Sequence, residues 1–180
     1  MSRLQNFSRK YGPWALVTGA ARGLGTEFSR QIGALGLNVV LVDMIADELM
    51  EVAEEVRRRS GVEVKTIVTD LAHPGFMNSI REQTDEIEIG LLVSNAAFPP
   101  VGLFFEQSLA DKLRMVDVNV RAPLMLVEEF GNRMLARKRG GIILVSSASA
   151  LQGVAYVASY AGTKAYNLVL AESLWDELRG

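Results

Sequence analysis

Hydrophobic and polar positions along the chain switch between two periods. Ala15-Leu16-Val17-Thr18 is a short apolar run that stops at a glycine cluster. Over residues 23–35, Leu24, Phe28, Ile32 and Leu35 recur at spacings of four and three, a helical stripe. Leu37 to Val42 is β-branched and almost wholly apolar, the pattern of a strand covered on both faces. Residues 46–60 predict a helix with Leu49, Val52 and Val56 inside and Glu48, Glu51, Glu54, Glu55, Arg57 and Arg58 outside; Gly61 stops it. Val62 to Val68 alternates as a third strand, 75–88 is a polar helical stretch, and Ile89 to Val93 is a fourth strand. A long helical region over 109–138 is interrupted around Asn119 to Pro123; Ile142 to Val145 makes a fifth strand and 158–179 a last helix. Strand and helix alternate five times without a hairpin signal. That order predicts α/β architecture, a doubly wound parallel sheet of Rossmann type with right-handed crossovers. The domain covers 13–180, after an N-terminal extension over 1–12, with no repeat or long linker.

Composition narrows the chemistry. The 180 residues carry 19 Lys+Arg against 21 Asp+Glu, a net charge of −2, and 49% hydrophobic residues. This balance gives no basic footprint for nucleic acid. No apolar stretch approaches the ~20 residues of a membrane span, and residues 1–12 lack a signal peptide's apolar core. With no Cys and one His, His73, the chain has no disulfide framework, Cys-based zinc site or catalytic thiol. A Ser-His-Asp triad would have to use His73, which adjoins Pro74 with no nucleophile motif nearby. No metal site is expected, and the compartment expected is a reducing one, the cytoplasm.

The first strand runs into Thr18-Gly19-Ala20-Ala21-Arg22-Gly23-Leu24-Gly25. Glycines between a strand and a helix permit a tight turn, close approach of a pyrophosphate and close helix–strand packing, and the helix N-terminus offers N–H groups to phosphate. A glycine-rich turn without a ligand is the alternative. Asp43 follows the second strand, beside the first, where a carboxylate accepts bonds from ribose hydroxyls and repels a 2′-phosphate. Arg22 pulls toward a 2′-phosphate, but Asp43 faces the discriminating group, so NAD is favoured over NADP.

The spacing T-G-x-x-x-G-x-G resembles the short-chain dehydrogenase/reductase family, and further matches arrive in chain order. Asp43 falls where the family binds the adenosine ribose. Asp70-Leu71 falls where its acid-aliphatic pair sits beside adenine, and Ser94-Asn95-Ala96-Ala97 resembles its N-N-A-G. Asn119 lies in the long helix and Ser147 closes the fifth strand. Tyr160-Ala161-Gly162-Thr163-Lys164 is the Y-x-x-x-K, thirteen positions after Ser147. The resemblance runs from Trp14 onward. It implies cofactor contacts from Gly19, Arg22, Gly23, Leu24, Gly25, Asp43, Asp70, Leu71, Asn95, Ala96, Ala97, Tyr160 and Lys164, and catalytic roles for Asn119, Ser147, Tyr160 and Lys164. The expected function is NAD(P)(H)-dependent hydride transfer between nicotinamide and a secondary alcohol or ketone. A cofactor-binding or assembly module without turnover is the alternative.

Tyr160 and Lys164 stand four apart, on one helix face. A free phenol, with a pKa near ~10, is too weak a base at neutral pH. A nearby ammonium and the positive nicotinamide favour the phenolate, and a drop of about three units takes roughly 4 kcal/mol. Tyr160 then exchanges a proton with the substrate oxygen, Ser147 hydrogen-bonds that oxygen, and Lys164 also binds the nicotinamide ribose. Asn119 resembles the family residue that holds a water joining the lysine to solvent. Each has a plainer rival: Ser146, Ser147 and Ser149 also suit strand-end caps, and Asn119 also suits backbone groups freed by Pro123.

Ala97 stands where the family usually has Gly, and carries strain if its φ is positive. Phe98-Pro99-Pro100, Phe104 and Phe105 line the substrate side or plug the core edge. The resemblance implies a homo-dimer or homo-tetramer through the long helix and the Tyr-Lys helix; Leu124, Val127, Met134, Leu135, Leu168, Ala171, Leu174 and Trp175 are candidates. Family members continue past the Tyr-Lys helix with two more strands and a substrate-covering segment. Ending at Gly180, this chain is expected to lack those C-terminal strands and to be part of a longer chain or to need a partner strand.

Overall fold

A computed structural model describes the backbone of residues 3–178, with side chains from residue 6 onward. Arg179, the expected last residue of the final helix, and Gly180 lie outside the described residues. Five strands form one parallel sheet: β1 (Trp14–Thr18), β2 (Asn38–Asp43), β3 (Val64–Val68), β4 (Ile89–Ser94) and β5 (Gly141–Leu144), in the order β3-β2-β1-β4-β5. The order reverses direction between β1 and β4, and such a switch point opens a crevice at the carboxyl ends of the strands.

Side-chain alternation divides the core into two layers. Ala15, Val17, Val39, Leu41, Leu91 and Val93 face α2 (Gly23–Ala34) and α3 (Ala46–Ser60), which contribute Ile32, Leu49, Val52, Ala53 and Val56. Leu16, Val40, Val42, Ile67 and Leu92 face the other way, onto Phe76, Met77 and Ile80 of α4 (Phe76–Thr84) and Leu126 and Phe130 of α6 (Ala122–Ala136). The doubly wound α/β expectation holds. Every residue of β1 is buried, which is why its sequence shows no polar alternation. Gly61 ends α3 in the left-handed conformation, as expected.

Three features depart from the expected elements. Within the N-terminal extension, α1 (Arg3–Tyr11) lays Phe7 and Tyr11 against the α2–α3 layer, with Tyr11 over Gly90 and Gly141 at the foot of the sheet. The interruption of the long helix is a π-turn, Asp117–Arg121, between α5 (Leu109–Val116) and α6. A 3₁₀ turn, Ala148–Leu151, stands between β5 and α7 (Ala158–Glu177) and packs on α7. β5 is the outer strand of the described sheet, with Ile143 partly exposed. No helix among the described residues is long and apolar enough to cross a membrane.

Candidate active site

The glycine turn lies at the carboxyl end of β1, in the crevice. Gly19 has a φ of +66° and packs so closely that a Cβ would stand 2.8 Å from the Ala96 Cα. A Cβ on Gly25 would come within 1.9 Å of the Gly19 carbonyl oxygen, so α2 can approach the turn only without a side chain there. Gly23 differs: its φ is +58°, and a Cβ would meet nothing within 4 Å. Its glycine serves the backbone conformation and keeps the open side of the turn clear. Arg22 precedes α2 in an extended conformation and its side chain caps none of the helix N–H groups. This bare, positively polarised helix start fits a pyrophosphate.

Thr18 and Asn95 fix the turn to the end of β4. The Thr18 hydroxyl accepts from the backbone N–H of Asn95 (3.0 Å) and Ala96 (3.1 Å), and the Asn95 amide donates to the Thr18 and Gly19 carbonyls. Ala97 carries no strain, because Lys138 and Tyr156 are the only non-glycine residues with positive φ among the described residues.

Asp43 ends β2. Its Oδ2 accepts from the N–H of Ala21 (3.0 Å) and its Oδ1 from that of Ile45 (3.1 Å), so the carboxylate braces the glycine turn. Each oxygen keeps a lone pair for a ribose hydroxyl. Arg22 is not a free cation: its guanidinium grips the Glu48 carboxylate through Nε and Nη2, which raises the arginine pKa and lowers that of Glu48. Glu48 is the partner the sequence reading missed, since nothing local joins positions 22 and 48. Asp70, after β3, accepts from the Ala72 N–H (2.9 Å) and pairs with Arg114 of α5 (2.9 Å); Leu71 is buried beneath it, while Leu24 is exposed.

The other end of the crevice is built by α7. Lys164 is 2% exposed, its Nζ donates to the Val145 carbonyl (2.8 Å), and it lies 5.8 Å from the centre of the Tyr160 ring. Burial pushes its pKa down from the ordinary lysine value. Ser146 donates from Oγ to the Lys164 carbonyl (2.8 Å), joining the end of β5 to α7. Ser147 begins the 3₁₀ turn, and its Oγ accepts from the N–H (3.2 Å) and hydroxyl (3.0 Å) of Ser149. Its capping role is therefore real, and it coexists with a place at the end of β5.

Asn119 is fully buried in the π-turn, and its side chain does not satisfy groups freed by Pro123. It clamps the backbone of Phe98, accepting from its N–H (2.8 Å) and donating to its carbonyl (3.3 Å), and also donates to Thr163 Oγ1 (3.1 Å). The correction has a simple cause. Pro123 has no N–H for the carbonyl four residues back, Asn119's own, and the Asn167 amide donates to that carbonyl instead (2.9 Å). Asn167 was another residue missed.

Loops after β4 and β5 carry exposed apolar side chains: Leu103, Phe104 and Phe105 on the first, and Leu151, Val154 and Tyr156 on the second. Phe104 and Phe105 stack edge to face at 5.1 Å, and Phe105 is 95% exposed, so it does not plug the core. The Gly102 N–H donates to the Tyr156 carbonyl (2.9 Å), tying the two loops together.

Residues 13–180 match the family model described as short chain dehydrogenase. The chain is 29% identical over 176 residues to mouse 17-beta-hydroxysteroid dehydrogenase type 3, covering 97% of this chain and 58% of that one. It is similar to a solved 7beta-hydroxysteroid dehydrogenase structure, with a TM-score of 0.93 and 29% identity over 97% of this chain and 67% of that one. A short-chain dehydrogenase from Sphingobium yanoikuyae in complex with NADPH superposes with a TM-score of 0.88 at 28% identity, over 93% of this chain and 66% of that one.

Proposed function

Because the chain belongs to the short-chain dehydrogenase family, we propose that it is an NAD-dependent oxidoreductase interconverting a bulky apolar secondary alcohol and its ketone. It spans 58% of the length of the mouse relative. The observation that carries the reading is the buried Lys164 beside the Tyr160 ring on α7, at the end of the crevice opposite Asp43.

When bound, the dinucleotide supplies the hydride donor or acceptor. Gly23 and the start of α2 take its pyrophosphate, and Asp43 takes the adenosine ribose. The Tyr160 hydroxyl gives its proton to the forming alkoxide oxygen in reduction and takes it back in oxidation. Lys164, held by the Val145 carbonyl, places its ammonium beside that phenol. Ser147 Oγ donates to the same substrate oxygen, which sets its angle to Tyr160. Asn119 positions rather than reacts: it locks Phe98 and ties the π-turn to α7 through Thr163.

Preference for NAD is supported by Asp43 and by the pairing of Arg22 with Glu48, which withdraws the one cation in the glycine turn from a 2′-phosphate. The Sphingobium neighbour binds NADPH, so cofactor choice turns on these local charges rather than on the fold. The exposed apolar side chains of the tied loops after β4 and β5, and relatives named as hydroxysteroid dehydrogenases, support a ring-sized apolar substrate. Following NADH absorbance with steroid ketones and with small ketones tests the reading. Turnover confined to the bulky ketones is expected; absence of NADH binding, or turnover of small ketones only, would contradict it.

A further inference from the structure

Arg114 projects from α5 across the ends of three strands. Its Nη2 pairs with Asp70 Oδ2 after β3 (2.9 Å) and contacts Met44 Sδ after β2 (3.8 Å), and its guanidinium carbon lies 5.4 Å from the centre of the Phe98 ring after β4. Nothing in the proton path uses it. An ion pair with both partners about one-third exposed contributes little to stability.

The sheet order shows what this side chain faces. The reacting end of the crevice lies over β4 and β5, where α7 brings Tyr160 and Lys164. On the proposed reading the pyrophosphate would fall at the β1 turn and the adenosine ribose at Asp43 on β2. The next group outward along β3-β2-β1-β4-β5 would be the base, toward the end of β3 and Asp70. The Asp70 carboxylate has one oxygen fixed by the Ala72 N–H (2.9 Å). That single bond leaves the carboxylate free to swing about its terminal torsion, which has broad minima. Arg114 supplies the second point. It is itself seated on Phe98, whose backbone Asn119 holds from both sides.

We propose that Arg114 is a specificity-determining residue for the adenine base: it fixes the plane of the Asp70 carboxylate so that a remaining lone pair accepts the exocyclic amino group. The proposal rests on the dinucleotide reading above. It makes base recognition a property of the Arg114–Asp70 pair rather than of Asp70 alone.

The test compares dissociation constants, by fluorescence titration, for NADH and for its analogue with hydrogen in place of the adenine amino group. The analogue lacks the donor and adds no acceptor. Wild-type protein binds NADH about tenfold more tightly than the analogue, the scale of one hydrogen bond to a charged acceptor. Arg114→Met brings that ratio to about two or less while changing the analogue's own affinity by no more than about twofold. Arg114→Lys keeps the charge but not the planar guanidinium on Phe98, so its ratio is intermediate, and it carries the test if the methionine variant does not fold. A tenfold ratio retained in either variant, equal weakening of both ligands, or a ratio of one in the wild type overturns the proposal. Wild-type protein that binds neither ligand would instead sink the dinucleotide reading itself, and this proposal with it.

Discussion

A lysine ammonium withdrawn from water is destabilised unless its surroundings return what hydration supplied. Lys164 recovers one hydrogen bond, to the Val145 carbonyl, and burial still lowers its pKa. The sign of the linkage follows: between the lowered folded value and the ordinary lysine value, the unfolded chain binds more protons, so stability from this group rises with pH. Denaturant midpoints should show wild type gaining on Lys164→Met as pH rises from neutral toward the ordinary lysine value; a constant difference would mean that the folded and unfolded chains hold the Lys164 proton equally and that burial does not lower its pKa. Asp43→Ala should weaken NAD binding about tenfold or more, from ~1.5–3 kcal/mol of charge-assisted hydrogen bonding, and relax discrimination against NADP. Unchanged preference in a titration with both cofactors would move the determinant to Arg22. Tyr160, Lys164 and Asp43 were legible because chain spacing places them. Glu48 and Arg114 were not, because their partners, Arg22 and Asp70, lie far away in sequence and only packing brings them close.

Two glycines of one turn separate packing from conformation. On Gly25 a Cβ would stand 1.9 Å from a backbone oxygen that cannot rotate away, whereas on Gly23 it would meet only open space. Gly25→Ala should therefore cost about 3 kcal/mol or more as α2 is forced off the turn. Gly23→Ala should cost about 1 kcal/mol, the strain of a left-handed residue. Urea midpoints check the contrast, and equal losses would contradict it. Strands buried on both faces and helices with charged outer faces declared themselves through apolar runs and stripes. The interruption near Asn119 to Pro123 was legible but its π geometry was not, because the cause is split between Pro123, which lacks an N–H, and Asn167 on another helix, which replaces the missing donor. The helix α1 was equally hidden: Phe7 and Tyr11 acquire meaning only from the layer they cover.

Taken as one molecule, the sheet would separate binding from chemistry on the proposed reading. The ends of β1, β2 and β3 would recognise the dinucleotide, and β5 with α7 would move the proton. Of the residues considered for self-association, Val127 and Met134 are buried in the core, whereas Leu124 and Leu135 of α6 and Trp175 of α7 are exposed. We propose that those three contribute to the homo-oligomer the family resemblance implies. Sedimentation at micromolar concentration should show a dimer or tetramer that Leu124→Asp shifts toward monomer, and a monomeric wild type would contradict it. Tyr160→Phe separates the two ends, since it removes one hydroxyl and leaves every group at the binding end in place. Hydride transfer to the ketone, followed by NADH absorbance, should vanish while the NADH dissociation constant, followed by fluorescence, stays within a few-fold of wild type. Retained transfer, or binding lost along with it, would show that Tyr160 is not the proton donor of a separable catalytic end.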